Sequence, residues 1–316
     1  MTAAPDLEPL RGRPGVIRLH GHRGARGLMP ENTLPGFAFA LACGVEILEC
    51  DVLFSREGTP VVTHNPRLSP DMTRDAEGGW VAAPGPLVRA LSLEELRRFD
   101  AGGLRSGSAY AARWPDQAFL SGVPVPCLDE LAALLARPGH GRVWLNLEIK
   151  SSPLHPEHGP PPPEQVAAVL AVLDDYGLAG RTLVQSFDWR VLAELRRQRP
   201  SIPRSFLSEL SGEGATPEAN IHDGSPWMAG LSLAAHGGSL PALVAAAGGQ
   251  AWSPHFGDLT AEDLARARAL GLIVNVWTVN RPQDIDRMIA LGVDGIITDF
   301  PGRVQHRLKA QGMSWR

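Results

Sequence analysis

Strand-like and helical patterns alternate along most of this chain, and that alternation limits the folds open to it. The runs 143–149 and 182–186 are short, apolar and contain β-branched residues, and the helical patterns 165–176 and 189–199 follow them in turn. Such alternation is typical of parallel βα units. About eight units over this length fit a (β/α)8 TIM barrel, with an open doubly wound sheet as the alternative. No Gly-x-Gly-x-x-Gly follows the first strand-like run, so the sequence favours the α/β barrel.

Two segments interrupt the alternation. Residues 67–126 are rich in Gly, Pro, Ser and Arg, and a loop of that length predicts a small inserted subdomain after the second strand. Residues 151–164, with four consecutive prolines, follow a strand and indicate either a lid or substrate wall or a stiff spacer. We therefore predict one domain over 16–312, which includes the insertion, and an N-terminal extension over 1–15.

Charge and composition narrow the classes of partner. The 30 basic and 34 acidic residues give a net charge of −4, so nothing indicates a nucleic-acid or anionic-membrane surface. The longest apolar run, 37–43, is far shorter than the roughly 18 residues of a spanning helix, and 67–126 is not apolar enough for a stable membrane anchor. Three sparse cysteines and an N-terminus without an apolar leader predict a cytoplasmic protein. The oligomeric state leaves no mark in the sequence.

Two strand-like runs carry polar side chains on a shared face. Residues two apart in a strand point the same way, which aligns Glu49 with Asp51, and Asn146 with Glu148 and Lys150. Neighbouring carboxylates near a strand end repel one another, and a hard divalent cation is the simplest compensation. The alternatives are a solvated edge strand and an ordinary Glu148–Lys150 ion pair. We expect Glu49, Asp51 and Glu148 to bind Mg²⁺ or Ca²⁺.

Two histidines follow predicted strand ends, His22 after the first strand and His64 after the run 60–64. One imidazole can take a proton while the other returns one to a leaving oxygen. Arg23 could hold a phosphate oxygen beside a metal. Metal, histidines and arginine together indicate phosphate-ester chemistry, although a single histidine is more often a structural hydrogen-bonding residue.

At this point the chain resembles the glycerophosphodiester phosphodiesterase family. The resemblance covers roughly 20–301 and lies in the order and spacing of its motifs, each of which is weak alone. The motifs that carry it are His22-Arg23-Gly24, Pro30-Glu31-Asn32-Thr33, Glu49-Cys50-Asp51, Val62-Thr63-His64-Asn65-Pro66, Glu148-Ile149-Lys150, Ser186-Phe187-Asp188, Val276-Trp277-Thr278-Val279-Asn280 and Gly295-Ile296-Ile297-Thr298-Asp299-Phe300-Pro301.

The resemblance implies a TIM barrel with an insertion after the second strand and metal-dependent hydrolysis of glycerophosphodiesters to glycerol 3-phosphate and an alcohol. It implies an acid/base pair, phosphate- and substrate-binding residues, and metal ligands. In that order these are His22 and His64; Arg23, Lys150 and Trp277; and Glu49, Asp51 and Glu148. Behind them we expect Asn65 to support His64, and Glu31 either to reach the metal or, as we favour, to fix Arg23.

The sequence departs from the family pattern at Asn65, where the family usually has Asp, at Cys50, where a Leu is common, and in the additional histidine His20. Asn65 keeps a hydrogen bond to His64 and loses the charge. Two other functions stay open: a lysophospholipase D-type phosphodiesterase on the same site, and a non-catalytic binding barrel. The sequence also leaves open the alcohol of the substrate, Mg²⁺ or Ca²⁺, and whether the glycerol 2-hydroxyl or water attacks phosphorus.

Overall fold

The computed structural model describes residues 6–210, 212, 215, 219–222 and 224–316. The strands of this described part are β1 (Arg18–Gly21), β2 (Ile47–Phe54), β3 (Pro60–Val62), β4 (Trp144–Ile149), β5 (Thr182–Ser186), β6 (Arg204–Ser208), β7 (Ala251–Pro254), β8 (Ile273–Val276) and β9 (Gly295–Thr298). Its helices are α1 (Leu34–Ala42), α2 (Leu93–Leu96), α3 (Ala109–Arg113), α4 (Leu128–Leu135), α5 (Pro162–Asp175), α6 (Trp189–Gln198), α7 (Leu240–Ala246), α8 (Ala261–Ala269), α9 (Pro282–Leu291) and α10 (Pro301–Ala310).

Eight of the strands close into a parallel barrel. Pairing runs in the order β1-β9-β8-β7-β6-β5-β4-β2, and β1 also pairs with β2, which joins the two ends of the sheet. The register sets His20 of β1 between Ile47 and Ile297. The predicted TIM barrel is confirmed, and closure of the sheet excludes the open doubly wound alternative.

Strand β3 lies outside the barrel. It pairs antiparallel with β2, with Val62 opposite Val52, so the two form a hairpin at the C-terminal end of β2. The run predicted at 60–64 is therefore shorter as a strand and ends at Val62. The amide of Thr63 then donates to the carbonyl of Asp51 at 3.1 Å, which places His64 close to the acidic end of β2.

Local sequence explains where several helices begin. The Thr33 side chain accepts a hydrogen bond from the amide of Gly36 and so caps α1. Helix α5 begins at Pro162, three residues before the predicted start, because a proline in the first turn loses no helical hydrogen bond. Helices α3 and α7 were not predicted. The segment 240–246 is apolar throughout, so no polar face reveals its period, and the cap at Ser239 was the available signal.

The core lies in two layers. Side chains between the strands and the surrounding helices form the larger cluster. Inside the barrel, at its N-terminal end, Leu10 is fully buried against Trp144, Leu183 and Ile273. Leu10 belongs to the predicted N-terminal extension, so at least this part of the segment closes the bottom of the barrel.

The segment 67–126 follows the β2–β3 hairpin and has a small core of its own. Leu68, Val88 and Leu96 are buried against Leu53 and Val61 of the hairpin. The segment then carries α3 back over the C-terminal end of the barrel, where Tyr110 reaches the loop after β1. In the described part of the chain, no helix has the length and apolar character needed to cross a membrane.

Candidate active site

Three carboxylates converge at the C-terminal ends of β2 and β4. The parallel register sets Asp51 beside Glu148, and Glu49 lies two residues earlier on the same face. One oxygen from each of the three lies within 4.8 Å of the others, and all three side chains are buried. The strand alternation in the sequence thus predicted the right faces.

Two cations offset this negative charge. Lys150 Nζ lies 2.7 Å from Glu148 Oε1 and 3.3 Å from Asp51 Oδ1. Arg23 Nε lies 3.0 Å from Asp51 Oδ2, and the Arg23 backbone amide donates to Glu49 Oε2 at 2.9 Å. The Glu148–Lys150 ion pair weighed as an alternative therefore exists, as one contact within a larger cluster.

The pKa values of the carboxylates diverge accordingly. Burial, with Asp51 and Glu148 close by, raises the pKa of Glu49 well above its ordinary value. Burial also raises the pKa of Glu148 to about 7, although Lys150 opposes that shift. Burial acts on Asp51 in the same sense, but Arg23 and Lys150 hold its pKa well below the usual range. The positive charges of Arg23 and Lys150 therefore do not fully offset the negative charges that Glu49, Asp51 and Glu148 would carry if all three were ionised.

The cluster fits a hard divalent cation. All three ligand groups are carboxylates, which are the ligands that Mg²⁺ and Ca²⁺ prefer. Asp51 Oδ1 is buried and accepts no hydrogen bond from the part of the chain that the structure describes. An acceptor of this kind, turned towards two other carboxylates, is chemically suited to a metal.

His22 is held by Asp299, for which the sequence predicted only a structural role, either as a cap of the closing helix or as an anchor of the pocket floor. His22 Nδ1 lies 2.7 Å from Oδ1 of Asp299, which is fully buried and follows β9. Arg26 donates twice to the same carboxylate, at 2.8 and 3.1 Å, and Asn280 donates to it at 2.6 Å. An ionised carboxylate only accepts, so Nδ1 carries the proton and the lone pair of Nε2 points elsewhere. Nε2 lies 3.9 Å from Glu49 Oε2.

His64 is oriented by its sequence neighbour. Its Nδ1 lies 2.8 Å from the amide oxygen of Asn65, which leaves Nε2 free to face the cavity above the carboxylates. Burial, with Arg23 and Lys150 close by, holds the pKa of His64 well below its ordinary value. Burial likewise lowers the pKa of His22 to about 4, although Asp299 opposes that shift.

The loop after β1 is fixed from both sides. Arg23 Nη1 donates to Glu31 Oε1 at 2.7 Å, and the hydroxyl of Tyr110 donates to the other oxygen of Glu31. Asn32 Nδ2 donates to Asp51 Oδ2 at 2.8 Å. Glu31 thus contacts Arg23 on the side away from the carboxylate cluster. Through its hydrogen bond to Glu31, Tyr110 connects the inserted segment 67–126 to the loop after β1.

Many of these groups line one cavity of about 470 Å³. Residues predicted for the site that line it are His22, Arg23, Glu49, His64, Asn65, Glu148, Lys150 and Trp277. The structure brings these together, with Asp51 and Glu31 directly behind them.

Sequence reasoning missed further lining residues, among them Arg26, Tyr110, Trp114, Gln185 and His255. Of these residues, only Gln185 could have been found from the sequence, because it is a polar residue in the predicted strand 182–186 and pairs with Glu148 on the neighbouring strand. Gln185 Nε2 donates to Glu49 Oε1 at 3.2 Å and its carbonyl oxygen accepts from Asn146 at 3.1 Å.

Comparisons with known proteins agree with this geometry. A sequence profile of the "Glycerophosphoryl diester phosphodiesterase family" matches residues 22–303. A glycerophosphodiester phosphodiesterase of Caldanaerobacter subterraneus is 27% identical over 281 residues, which cover 89% of this chain and 93% of that protein. A crystal structure named "Putative glycerophosphoryl diester phosphodiesterase", from Silicibacter pomeroyi, is 49% identical with a TM-score of 0.87, over 98% of this chain and 99% of that one. A phosphodiesterase of Oleispira antarctica, solved in complex with the product sn-glycerol-3-phosphate, shares the fold at 21% identity and a TM-score of 0.66, over 93% of this chain and 97% of that one.

Proposed function

This chain belongs to the glycerophosphoryl diester phosphodiesterase family and is an enzyme of that class, and on that premise we propose that it hydrolyses glycerophosphodiesters by metal-dependent His/His acid–base catalysis. The observation that carries the proposal is that two oriented imidazoles line a single cavity together with Glu49 and Glu148, which cluster with the buried Asp51 directly behind them. The products would be glycerol 3-phosphate and an alcohol. We keep the cytoplasmic location as a further prediction from the sequence.

Glu49, Asp51 and Glu148 would hold Mg²⁺ or Ca²⁺. When bound, such a cation supplies positive charge that polarises a phosphoryl oxygen. Arg23 and Lys150 lie among the same carboxylates, at 3.0 and 3.3 Å from Asp51 oxygens. Both cations therefore face the position where a phosphodiester would meet the cluster, and they would bind its remaining oxygens.

The two imidazoles would move the protons. Asp299 and Asn65 accept from Nδ1 of His22 and His64, so each ring presents Nε2 to the cavity in a defined orientation. One ring takes the proton of the attacking oxygen while the other gives a proton to the departing one. Trp277 lines the same cavity with its indole N–H bonded to the carbonyl of Ser253 at 2.9 Å, so its ring is fixed as a wall for substrate.

The test uses EDTA-treated protein and glycerophosphoethanolamine, with and without added Mg²⁺ or Ca²⁺, and follows release of glycerol 3-phosphate. We expect turnover only after metal is restored. We expect His22→Ala and His64→Ala to lower kcat by about 10²- to 10⁴-fold, the usual contribution of general acid–base catalysis. The control is His306→Ala, because His306 is exposed on α10 and does not line the cavity.

Each part of the proposal can fail separately. Full turnover in EDTA would rule out metal dependence. Wild-type kcat in both His22→Ala and His64→Ala would rule out the His/His pair. Tight binding of the diester without any product would favour the non-catalytic barrel.

A further inference from the structure

A second cavity, of about 320 Å³, adjoins the active-site cavity. The residues that line both are His64, Asn65, Glu148, Lys150 and Phe187. The two cavities therefore meet at the end of β4, beside His64. Of the two candidate proton-transfer residues, His64 borders both cavities and His22 borders the larger one.

The second cavity, which we call the side groove, has a largely apolar lining. Its apolar side chains are those of Leu53, Pro66, Leu154, Phe187 and Trp227. Leu154 lies in the proline-rich segment after β4 and is 61% exposed. Trp227 comes from the segment between β6 and α7 and is half-buried. The sequence left the proline-rich segment as either a substrate wall or a spacer, and here it forms a wall.

The serines along the groove already have hydrogen-bond partners. Ser151 donates its hydroxyl proton to Asp188 at 2.7 Å, and Ser186 donates to the carbonyl of Ile149 at 2.8 Å. The hydroxyl of Ser152 accepts from two backbone amides, those of residues 154 and 155. Few polar groups are therefore left to bind the hydroxyls of a ligand.

The charges at the groove disfavour a cationic ligand. Lys150 Nζ lies 5.8 Å from the centre of the Phe187 ring, close enough to repel an amine placed there. Among the described lining residues the carboxylate is that of Glu148, which is paired with Lys150 at 2.7 Å. His155 and His158 also face the groove. A choline or ethanolamine group would find no free counter-charge among these residues.

The larger cavity is more polar than the side groove, although Trp114, Leu207, Trp277 and Ile297 also line it. Gln185, His255 and Asn280 line it beyond the shared residues, together with Arg26 and Tyr110. These side chains can donate and accept hydrogen bonds, which a glycerol carrying two hydroxyls requires. With the phosphorus at the junction of the two cavities, the glycerol of a diester would lie in the larger cavity and an apolar alcohol would lie in the side groove.

We propose that the side groove receives the leaving alcohol of the phosphodiester and favours an uncharged, apolar alcohol. This inference rests on the proposed function and names its substrate class. The bond between phosphorus and the alcohol oxygen breaks, and that oxygen takes the Nε2 proton of His64, which borders the groove, enters the step as an imidazolium and leaves it neutral. The attacking oxygen bonds to phosphorus and gives its proton to His22. The products are a phosphate ester of glycerol and a neutral alcohol.

The test compares glycerol 3-phosphate esters of ethanol, butanol, octanol and choline as substrates of the metal-supplemented protein. We expect kcat/KM to rise along the alkyl series by up to about fourfold per methylene until the groove is filled. We expect the choline ester to fall below the butyl ester, although the two alcohols are similar in size.

Leu154→Ser is the decisive variant, because a side chain that is 61% exposed contributes little to the core. We expect it to lower kcat/KM for the octyl ester by about five- to tenfold and to leave the ethyl ester within twofold. The matched control is Leu270→Ser, because Leu270 is 45% exposed at the end of α8 and lines neither cavity.

A binding measurement separates this inference from the proposed function. Calorimetry with octyl phosphate and ethyl phosphate requires no turnover, and we expect the octyl compound to bind more tightly to the wild type than to Leu154→Ser. Equal alkyl slopes in the wild type and Leu154→Ser, in kinetics and in binding, would overturn the groove assignment. So would a chain-length preference that appears only when the alkyl group is attached to the glycerol arm. Absence of hydrolysis for every ester, with octyl phosphate still bound through Leu154, would count against the proposed function and leave the apolar groove supported.

Discussion

The contact between His22 and Asp299 is the most exacting test of the site, and Asp299→Asn is the variant that probes it. Asp299 is fully buried and accepts hydrogen bonds from His22, Asn280 and, twice, from Arg26. Although burial disfavours its charge, Arg26 and His22 hold the pKa of Asp299 well below its ordinary value. The carboxylate is therefore charged at neutral pH and fixes the proton of His22 on Nδ1.

Asparagine has one acceptor oxygen where the carboxylate has two, so its amide group must face at least one of these donors. Arg26, which is 8% exposed, also loses its counter-charge. Removing one partner of a buried ion pair costs about 3–5 kcal/mol. For a chain of 316 residues, typical unfolding entropies convert this cost into a fall in Tm of about 5–8 °C.

The catalytic effect is separate from the loss of stability. Without a fixed acceptor at Nδ1, His22 no longer presents Nε2 in one orientation. We expect kcat to fall by about 10²- to 10⁴-fold, the range that a positioned acid–base group supplies, with a small change in KM. The assay is steady-state release of glycerol 3-phosphate, run beside a thermal melt of the same sample at a temperature well below Tm.

The control is Asp294→Asn on the same segment of chain. Asp294 accepts from the amides of Gly12 and Val274 near the N-terminal end of the barrel and does not line the active-site cavity. It should lose stability and keep kcat. A kcat for Asp299→Asn within threefold of the wild type, with the expected fall in Tm, would refute the view that Asp299 positions His22.

Three further predictions concern metal, orientation and pH. Glu148→Gln should weaken binding of Mg²⁺ or Ca²⁺ by more than about tenfold in calorimetry, and unchanged affinity would contradict the ligand assignment. Asn65→Leu, which removes the acceptor for His64 Nδ1 at 2.8 Å, should lower kcat by at least about tenfold, whereas Asn65→Asp should keep most of it. Burial lowers the pKa of His20 to about 3, below the roughly 6.5 of an unfolded chain. The unfolded state therefore binds this proton first, so the contribution of His20 to stability is complete above about pH 6.5 and is lost as the pH falls towards 3. Urea unfolding from pH 7 to pH 5 should show a mean slope that His20→Asn reduces by about 1 kcal/mol per pH unit, and identical slopes would contradict this reasoning.

The sequence was sufficient for features that repeat along a strand. Alternation in 47–54 and 144–149 predicts which side chains face inward, and the barrel places the C-terminal ends of all parallel strands at one edge. The carboxylate cluster follows from those two facts. Neighbouring βα units pair in order, which makes β2 and β4 adjacent, whereas the register that sets Asp51 beside Glu148 is known only from the structure.

Features that depend on long-range contacts could not be predicted in this way. Tyr110 lies on a helix of five residues, too short for a periodic pattern, and reaches Glu31 across 79 positions of sequence. Trp227 enters the side groove from a short 3-10 helix, Pro226–Met228, which no periodic pattern reveals. Asp299 was expected to cap the closing helix or to anchor the floor of the pocket. It turns instead towards His22 because β9 pairs directly with β1 when the barrel closes.

Closure of the barrel also brings cations next to the buried carboxylates of this site and so reduces the repulsion between them. Arg23 and Lys150 come from opposite sides of the acidic cluster, one from the loop after β1 and one from the end of β4. Because the strands converge, each cation offsets the carboxylates and also faces the cavity in which a phosphate would lie. A divalent cation among the carboxylates would take over the first of these tasks and leave Arg23 and Lys150 for the second. Metal binding and phosphate binding are thus linked through Arg23 and Lys150. Each of these side chains lies within about 3 Å of a carboxylate of the cluster and could bind a phosphate instead when a metal occupies the cluster.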